Sequence, residues 1–174
     1  MKRLRLAFML CAFCLTVAYG QPPQGPSDQV KRFALYAGKF EGQLMMTEGG
    51  KTVTAKVQDK NSIVVGDWGF LVEEVATMPD GGQYVSHNHM GYDAGGKKIH
   101  IFSVTNAGET HDHKGDWKDA KTLFTQYDGT WEGKPYVEKI TLTFHSPDSY
   151  SVSWVATKGG KVVNKGEETL HRTP

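Results

Sequence analysis

The chain has 174 residues, with 20 Lys+Arg against 19 Asp+Glu, a formal charge of +1 and two cysteines. That length suits one compact domain and is short for two. So balanced a charge lacks the basic excess of a nucleic-acid binder.

Lys2, Arg3 and Arg5 precede an apolar run from Leu6 to Val17, and Ala18-Tyr19-Gly20 sets small residues at the two positions a signal peptidase reads. The run is short for a bilayer span and ends at polar Gln21. Residues 1–20 are therefore expected to be a cleaved export signal, leaving a periplasmic or extracellular protein with no membrane span. Cys11 and Cys14 leave with it, which excludes disulfides, thiolate metal sites and a cysteine nucleophile. Lys+Arg fall to 17 against 19 Asp+Glu, a formal charge of −2. Residues 21–28 (QPPQGPSD) read as a flexible leader. Residues 29–174 read as a single β-barrel domain.

A short helix is expected from Asp28 to Tyr36, with Asp28 as its cap and Val30, Phe33, Ala34 and Ala37 on one face. Ten strands follow, near 39–46, 51–58, 70–77, 83–91, 97–105, 109–115, 121–130, 136–145, 149–157 and 161–170. Gly, Asn and Pro clusters separate them, such as Asp93-Ala94-Gly95-Gly96 and Asn106-Ala107-Gly108. Several alternate cleanly: Ile140, Leu142 and Phe144 share one face, as do Tyr150, Val152, Trp154 and Ala156. Trp68 reads either as part of a bend at the cavity mouth or as core. The pattern points to an all-β, ten-stranded antiparallel up-and-down barrel behind an N-terminal helical plug, with a sandwich as the alternative.

Gly38-Lys39-Phe40 at the opening of the first strand is similar to the Gly-x-Trp opening of lipocalin-like (calycin) barrels, with Phe40 in place of tryptophan. With Met90-Gly91-Tyr92-Asp93 and Lys114-Gly115-Asp116-Trp117, the chain resembles a family of exported bacterial proteins of unknown function with a lipocalin-like barrel. The resemblance spans about residues 30–172 and implies a fold without an established activity.

Five of the seven histidines fall in one window: His87, His89, His100, His111 and His113. A four-residue loop at Asp93–Gly96 and a two-residue loop at Ala107-Gly108 would set His89 opposite His100, His87 and His113 beside Phe102, and all five on one face. Asp112 and Lys114 prefer water and argue that this face is inward; Ile99 and Ile101 argue the reverse. Glu73 and Glu74 are adjacent, so they point to opposite faces. No Gly-x-Ser-x-Gly elbow is present.

The resulting expectation is a cavity that binds a small apolar or amphipathic molecule, with His87, His89, His100, Phe102, His111, His113 and Trp154 on its wall. The alternative is zinc, copper or haem held by His87, His89, His100, His111 and His113. A third reading is an enzyme with one cavity histidine as acid or base. The histidines could also sit on a half-wet strand and bind nothing.

Overall fold

The computed structural model describes residues 27–174. The expected export signal and leader residues 21–26 lie outside the described residues. Ten strands form: β1 (Gly38–Glu48), β2 (Lys51–Val64), β3 (Gly69–Thr77), β4 (Gln83–Asp93), β5 (Lys98–Thr105), β6 (Thr110–Trp117), β7 (Thr122–Trp131), β8 (Lys134–Ser146), β9 (Ser149–Lys158) and β10 (Lys161–Arg172). Each pairs antiparallel with the next, and β10 returns to β1, so the sheet closes on itself. Closure removes both sheet edges, which decides for the barrel over the sandwich. Alternate residues point in, as the strand period requires: Tyr150 and Ala156 on β9 are buried, and so are Leu142 and Phe144 on β8.

β2 runs six residues beyond its expected end at 58, carrying Asp59 and Asn61 to the interior. The turn comes only at residues 65–68, where Val65 and Asp67 adopt positive φ. Trp68 sits in that turn and is 40% exposed, so it is not core. The turn belongs to the plugged end of the barrel, so Trp68 is not at the mouth either.

The plug itself departs from one regular helix. α1 spans Asp28–Lys31 and gives way to a 3-10 turn over Arg32–Tyr36. Ser27 occupies the cap position, while Asp28 lies inside the first turn and pairs with Lys31 at 2.9 Å. A 3-10 segment repeats every three residues, so Val30, Phe33 and Tyr36 form the buried stripe and Ala34 is exposed. Phe33 packs against Phe70, Trp117 and Phe144 at ring-centroid distances of 5.4, 5.2 and 6.2 Å. Trp117 Nε1 donates to Gln29 O at 3.2 Å. Arg172 straps the plug down, donating to Ala37 O at 2.7 Å, Leu35 O at 2.8 Å and Pro147 O at 2.7 Å. One end of the barrel is therefore shut by side chains.

Two inward glycines let neighbouring strands come close. A Cβ at Gly42 would stand 1.9 Å from Thr169 O, and one at Gly115 would stand 1.9 Å from Phe124 O. The second contact lies in the shortest ladder of the barrel, where only Lys114–Trp117 of β6 pair with Leu123–Gln126 of β7. Above Lys114 the two strands have no paired residues, so the wall there is held by side chains instead.

Candidate functional site

Both hairpins differ from the simplest closure, with opposite consequences for the histidines. Between β4 and β5 the loop is Ala94–Lys97, with Asp93 paired to Lys98. The Asp93 carboxylate accepts the Gly95 and Gly96 N–H groups at 2.9 Å each, and Lys97 takes positive φ. Pairing thus shifts by two residues, which preserves faces: His89 stands opposite Phe102, His87 opposite Val104 and His100 opposite Gly91. Between β5 and β6 the loop holds three residues, Asn106–Gly108. Thr105 N donates to Glu109 O at 3.0 Å, Gly108 N donates to Thr105 O at 3.2 Å, and Gly108 has φ +84°. That left-handed glycine adds one residue and flips every β6 side chain.

The expected single face of five histidines is therefore corrected. Buried Ile99 and Ile101 fix the inner face of β5, so His100 and Phe102 point outward; so do His87 and His89 on β4. His87 and His89 are exposed, Phe102 is 45% exposed, and His100 Nδ1 lies 2.9 Å from Asp112 Oδ1 on the outer surface. Neither a cavity role nor an interior metal role fits these four. On β6, Asp112 and Lys114 take the outside, which turns His111 and His113 inward. Both sequence arguments about facing hold, each for its own strand. Trp154 does line the interior; its Nε1 donates to Asn164 Oδ1 at 2.7 Å, and its ring lies where a Cβ on Gly166 would be.

The barrel encloses a cavity of about 220 Å³. It reaches from Tyr150 and Asp59 near the plug to Met78 and Glu109 at the opposite rim. Leu44, Val72, Met90, Ile101, Ile140 and Val152 supply apolar wall, and Trp154, Tyr84 and Tyr136 supply aromatic wall. Besides Glu109 at the rim, four carboxyl groups line its interior: Asp59, Glu74, Glu138 and Glu168.

Glu138 on β8 reaches across β7 to β6. Its Oε2 lies 3.0 Å from His111 Nδ1 and 3.0 Å from His113 Nε2. The His111 ring stacks on Tyr127, with centroids 4.1 Å apart and planes 13° apart. Burial pushes the Glu138 carboxyl up, but the two imidazole hydrogen bonds outweigh it and hold the group at about 2. This cluster bridges the split between β6 and β7. His113 is 2% exposed, and its Nδ1 has no partner.

The other three carboxyls behave oppositely. Asp59 stands directly opposite Glu74 across β2 and β3, and Glu168 lies on β10, beyond β1. Burial, then the Glu74 charge, raise Asp59 to about 8, although Tyr150 O–H donates to its Oδ2. Asp59 Oδ1 is buried without a partner. Burial also raises Glu74, against the Ser86 hydroxyl that donates to it at 3.0 Å. Burial and the charges of Glu74 and Asp59 raise Glu168 well above the usual carboxylate range. A hydrogen-bond chain runs from Ser103 to Asn88 (2.6 Å), Asn88 to Ser86 (2.9 Å) and Ser86 to Glu74. Burial thus favours the protonated form of each of the three, in which a carboxyl can both donate and accept.

Sequence reasoning set Glu73 and Glu74 on opposite faces, as found, but missed Asp59, Glu138 and Glu168. All four inward acids carry a readable signal, a carboxylate on the apolar parity of its strand. Glu138 shares parity with Ile140 and Leu142, Glu74 with Val72 and Ala76, Asp59 with Val57, and Glu168 with Leu170. Glu73, on the other parity, pairs outside with Lys60 at 2.7 Å.

No family model and no curated protein matches the chain. Among solved structures it is similar to Rv2717c from M. tuberculosis, at 11% identity and TM-score 0.67, over 86% of this chain and 100% of that one. It is also similar to the S-type phycobiliprotein lyase CPES from Guillardia theta, at 9% identity and TM-score 0.54, over 86% of this chain and 99% of that one. At such identities the likeness is one of fold. The chain is a closed ten-stranded antiparallel lipocalin-like barrel with a short N-terminal helix.

Proposed function

We propose that this protein is an exported barrel that binds a small amphipathic molecule in its central cavity. The observation that carries the reading is the cavity itself, shut at one end by Phe33 and Tyr36 and extending to the rim at Met78 and Glu109. Protein interiors are close-packed, and a barrel meant only to be stable fills its centre with side chains. Here small residues hold the space open: Ser86 and Ser103 line it, and Gly166 makes room for Trp154. The volume of about 220 Å³ lies below the roughly 300–1,000 Å³ of pockets for drug-sized molecules, so the ligand is a small one. Its apolar body lies against Ile140, Val152 and Trp154. Its polar end meets the buried carboxyls and the Ser86–Asn88–Ser103 chain.

The same size speaks against haem, as does the pairing of both inward histidines with Glu138. Export rests on the basic, apolar and small-residue run of residues 1–20. Among the described residues no helix is long and apolar enough to cross a membrane. The test is native mass spectrometry of the protein released by its own cells. A retained small molecule whose addition to stripped protein quenches Trp154 fluorescence supports the reading. Ligand-free protein that shows no such response to a library of small amphiphiles overturns it.

A further inference from the structure

We propose that His111, His113 and Glu138 form a divalent transition-metal site on the cavity wall, with its remaining coordination positions open to the cavity. The proposal stands apart from the small-ligand reading, because it rests on one cluster and not on the cavity's volume. Three observations carry it.

The first is convergence. Two imidazoles from one strand and a carboxylate two strands away aim at a single point, both ring nitrogens standing 3.0 Å from the same oxygen, Glu138 Oε2. No two of the three donor atoms are more than 4.8 Å apart. Around an ion with bonds of about 2.0–2.1 Å, neighbouring donors in a tetrahedron or octahedron stand roughly 2.9–3.4 Å apart. The carboxylate-to-imidazole spacings already match, and the two imidazole donors, no more than 4.8 Å apart, are the pair left to close toward that range.

The second is preorganisation. His111 is pinned by its stack on Tyr127, whose neighbour across the β7–β8 ladder is Glu138. His113 is held in the wall at 2% exposure, while His111 and Glu138 keep 15% and 17% of their side chains open. An ion entering through the cavity therefore meets donors already in place.

The third is the incomplete hydrogen bonding of His113. Its Nδ1 is buried without a partner, so the cluster is not a fully satisfied polar network. Metal binding needs the lone pairs of His111 Nδ1 and His113 Nε2, and so moves each ring hydrogen to the opposite nitrogen. For His113 that nitrogen is the unpartnered Nδ1. Thr125 Oγ1, on the next strand and also buried without a partner, lies one diagonal step away in the register but makes no hydrogen bond to it. A side-chain rotation that brings the two together would give the ring hydrogen an acceptor, as the outer partners of metal-bound histidines do.

The donor set is nitrogen and oxygen only, with no cysteine among the described residues, which suits zinc or another divalent first-row ion. Three protein ligands leave at least one position open.

Isothermal titration of the purified, metal-stripped protein with Zn²⁺ alone, and visible absorption with Co²⁺ alone, test the site. One equivalent is expected to bind, with Zn²⁺ abolishing the Co²⁺ bands. Glu138→Gln and His113→Asn are expected to weaken binding at least about tenfold. The exterior triple variant His87→Asn, His89→Asn, His100→Asn is expected to leave it unchanged. Should the interior variants fail to fold, histidine side-chain ¹⁵N resonances of the wild-type protein give the same answer. Zn²⁺ must then shift His111 and His113 and leave the other five histidines in place. Absence of saturable binding, binding lost only in the exterior triple, or shifts confined to exterior histidines overturns the proposal.

Discussion

Asp59 and Glu74 stand directly opposite each other on β2 and β3, and both turn into the cavity. Two facing carboxyls in a dry interior cannot both ionise cheaply, and Glu168 adds a third. Burial and the Glu74 charge raise Asp59 from 3.8 to about 8. Its neutral form is thus favoured by folding. The stabilising effect is fully present below pH 4 and is lost as pH rises through about 8. Asp59→Asn keeps an acceptor for the Tyr150 hydroxyl and removes the titration. Denaturant unfolding at pH 5 and pH 8 should show the variant gaining on the wild type at the higher pH, by an amount on the order of a few kcal/mol. A difference independent of pH would show that Asp59 does not titrate in this range.

Strand closure gives a second, purely steric prediction. Gly42→Ala sets a methyl group 1.9 Å from Thr169 O, a backbone atom that moves only if β10 moves. The expected cost is about 3 kcal/mol or more. Gly91→Ala, at a strand position with open space around its Cβ, should change stability by no more than about 0.5 kcal/mol. Equal effects in denaturant melts would mean that the β1–β10 contact is not tight.

These examples show which features were legible in the sequence. The ten strands were, because several alternate cleanly and most end at a Gly, Asn or Pro cluster; every expected span lies within two residues of the observed one except at the end of β2. That end was hidden because Asp59 and Asn61 look like turn residues, and only the polar interior lets them continue a strand. The faces of the histidines were less legible, since they depend on one residue in one loop. Gly108 in a left-handed conformation turns an expected two-residue hairpin into three, and His111 and His113 part from His87, His89 and His100. Glu138 was hidden in another way. Its partners lie 25 and 27 residues away, on a strand that is not its neighbour, and no local pattern joins them.

The plug is expected to be a structural element with a large share of the barrel's stability. Phe33 is fully buried among Phe70, Trp117 and Phe144. Phe33→Ala should cost about 3–5 kcal/mol and open the shut end. Thermal melts and binding of a hydrophobic dye would check both parts. A variant that melts earlier without taking up dye would indicate that the 3-10 turn collapses into the space and keeps the end closed.

Filling the cavity separates its function from its stability. Ile140 lines the space from β8 directly opposite Trp154, and replacing it removes none of the carboxyls or histidines. Ile140→Trp places the added ring in the volume the ligand would occupy. Over-packing a dense core costs about 1–3 kcal/mol, and an adjoining cavity absorbs part of that. The variant should therefore keep its fold, by circular dichroism and by an unfolding midpoint close to that of the wild type, while losing the bound small molecule in native mass spectrometry. It should still bind one equivalent of Zn²⁺, since His111, His113 and Glu138 are unaltered. Retention of the small molecule with the cavity filled would place the ligand outside the barrel, whereas simultaneous loss of both would mean that the ion and the molecule share one position.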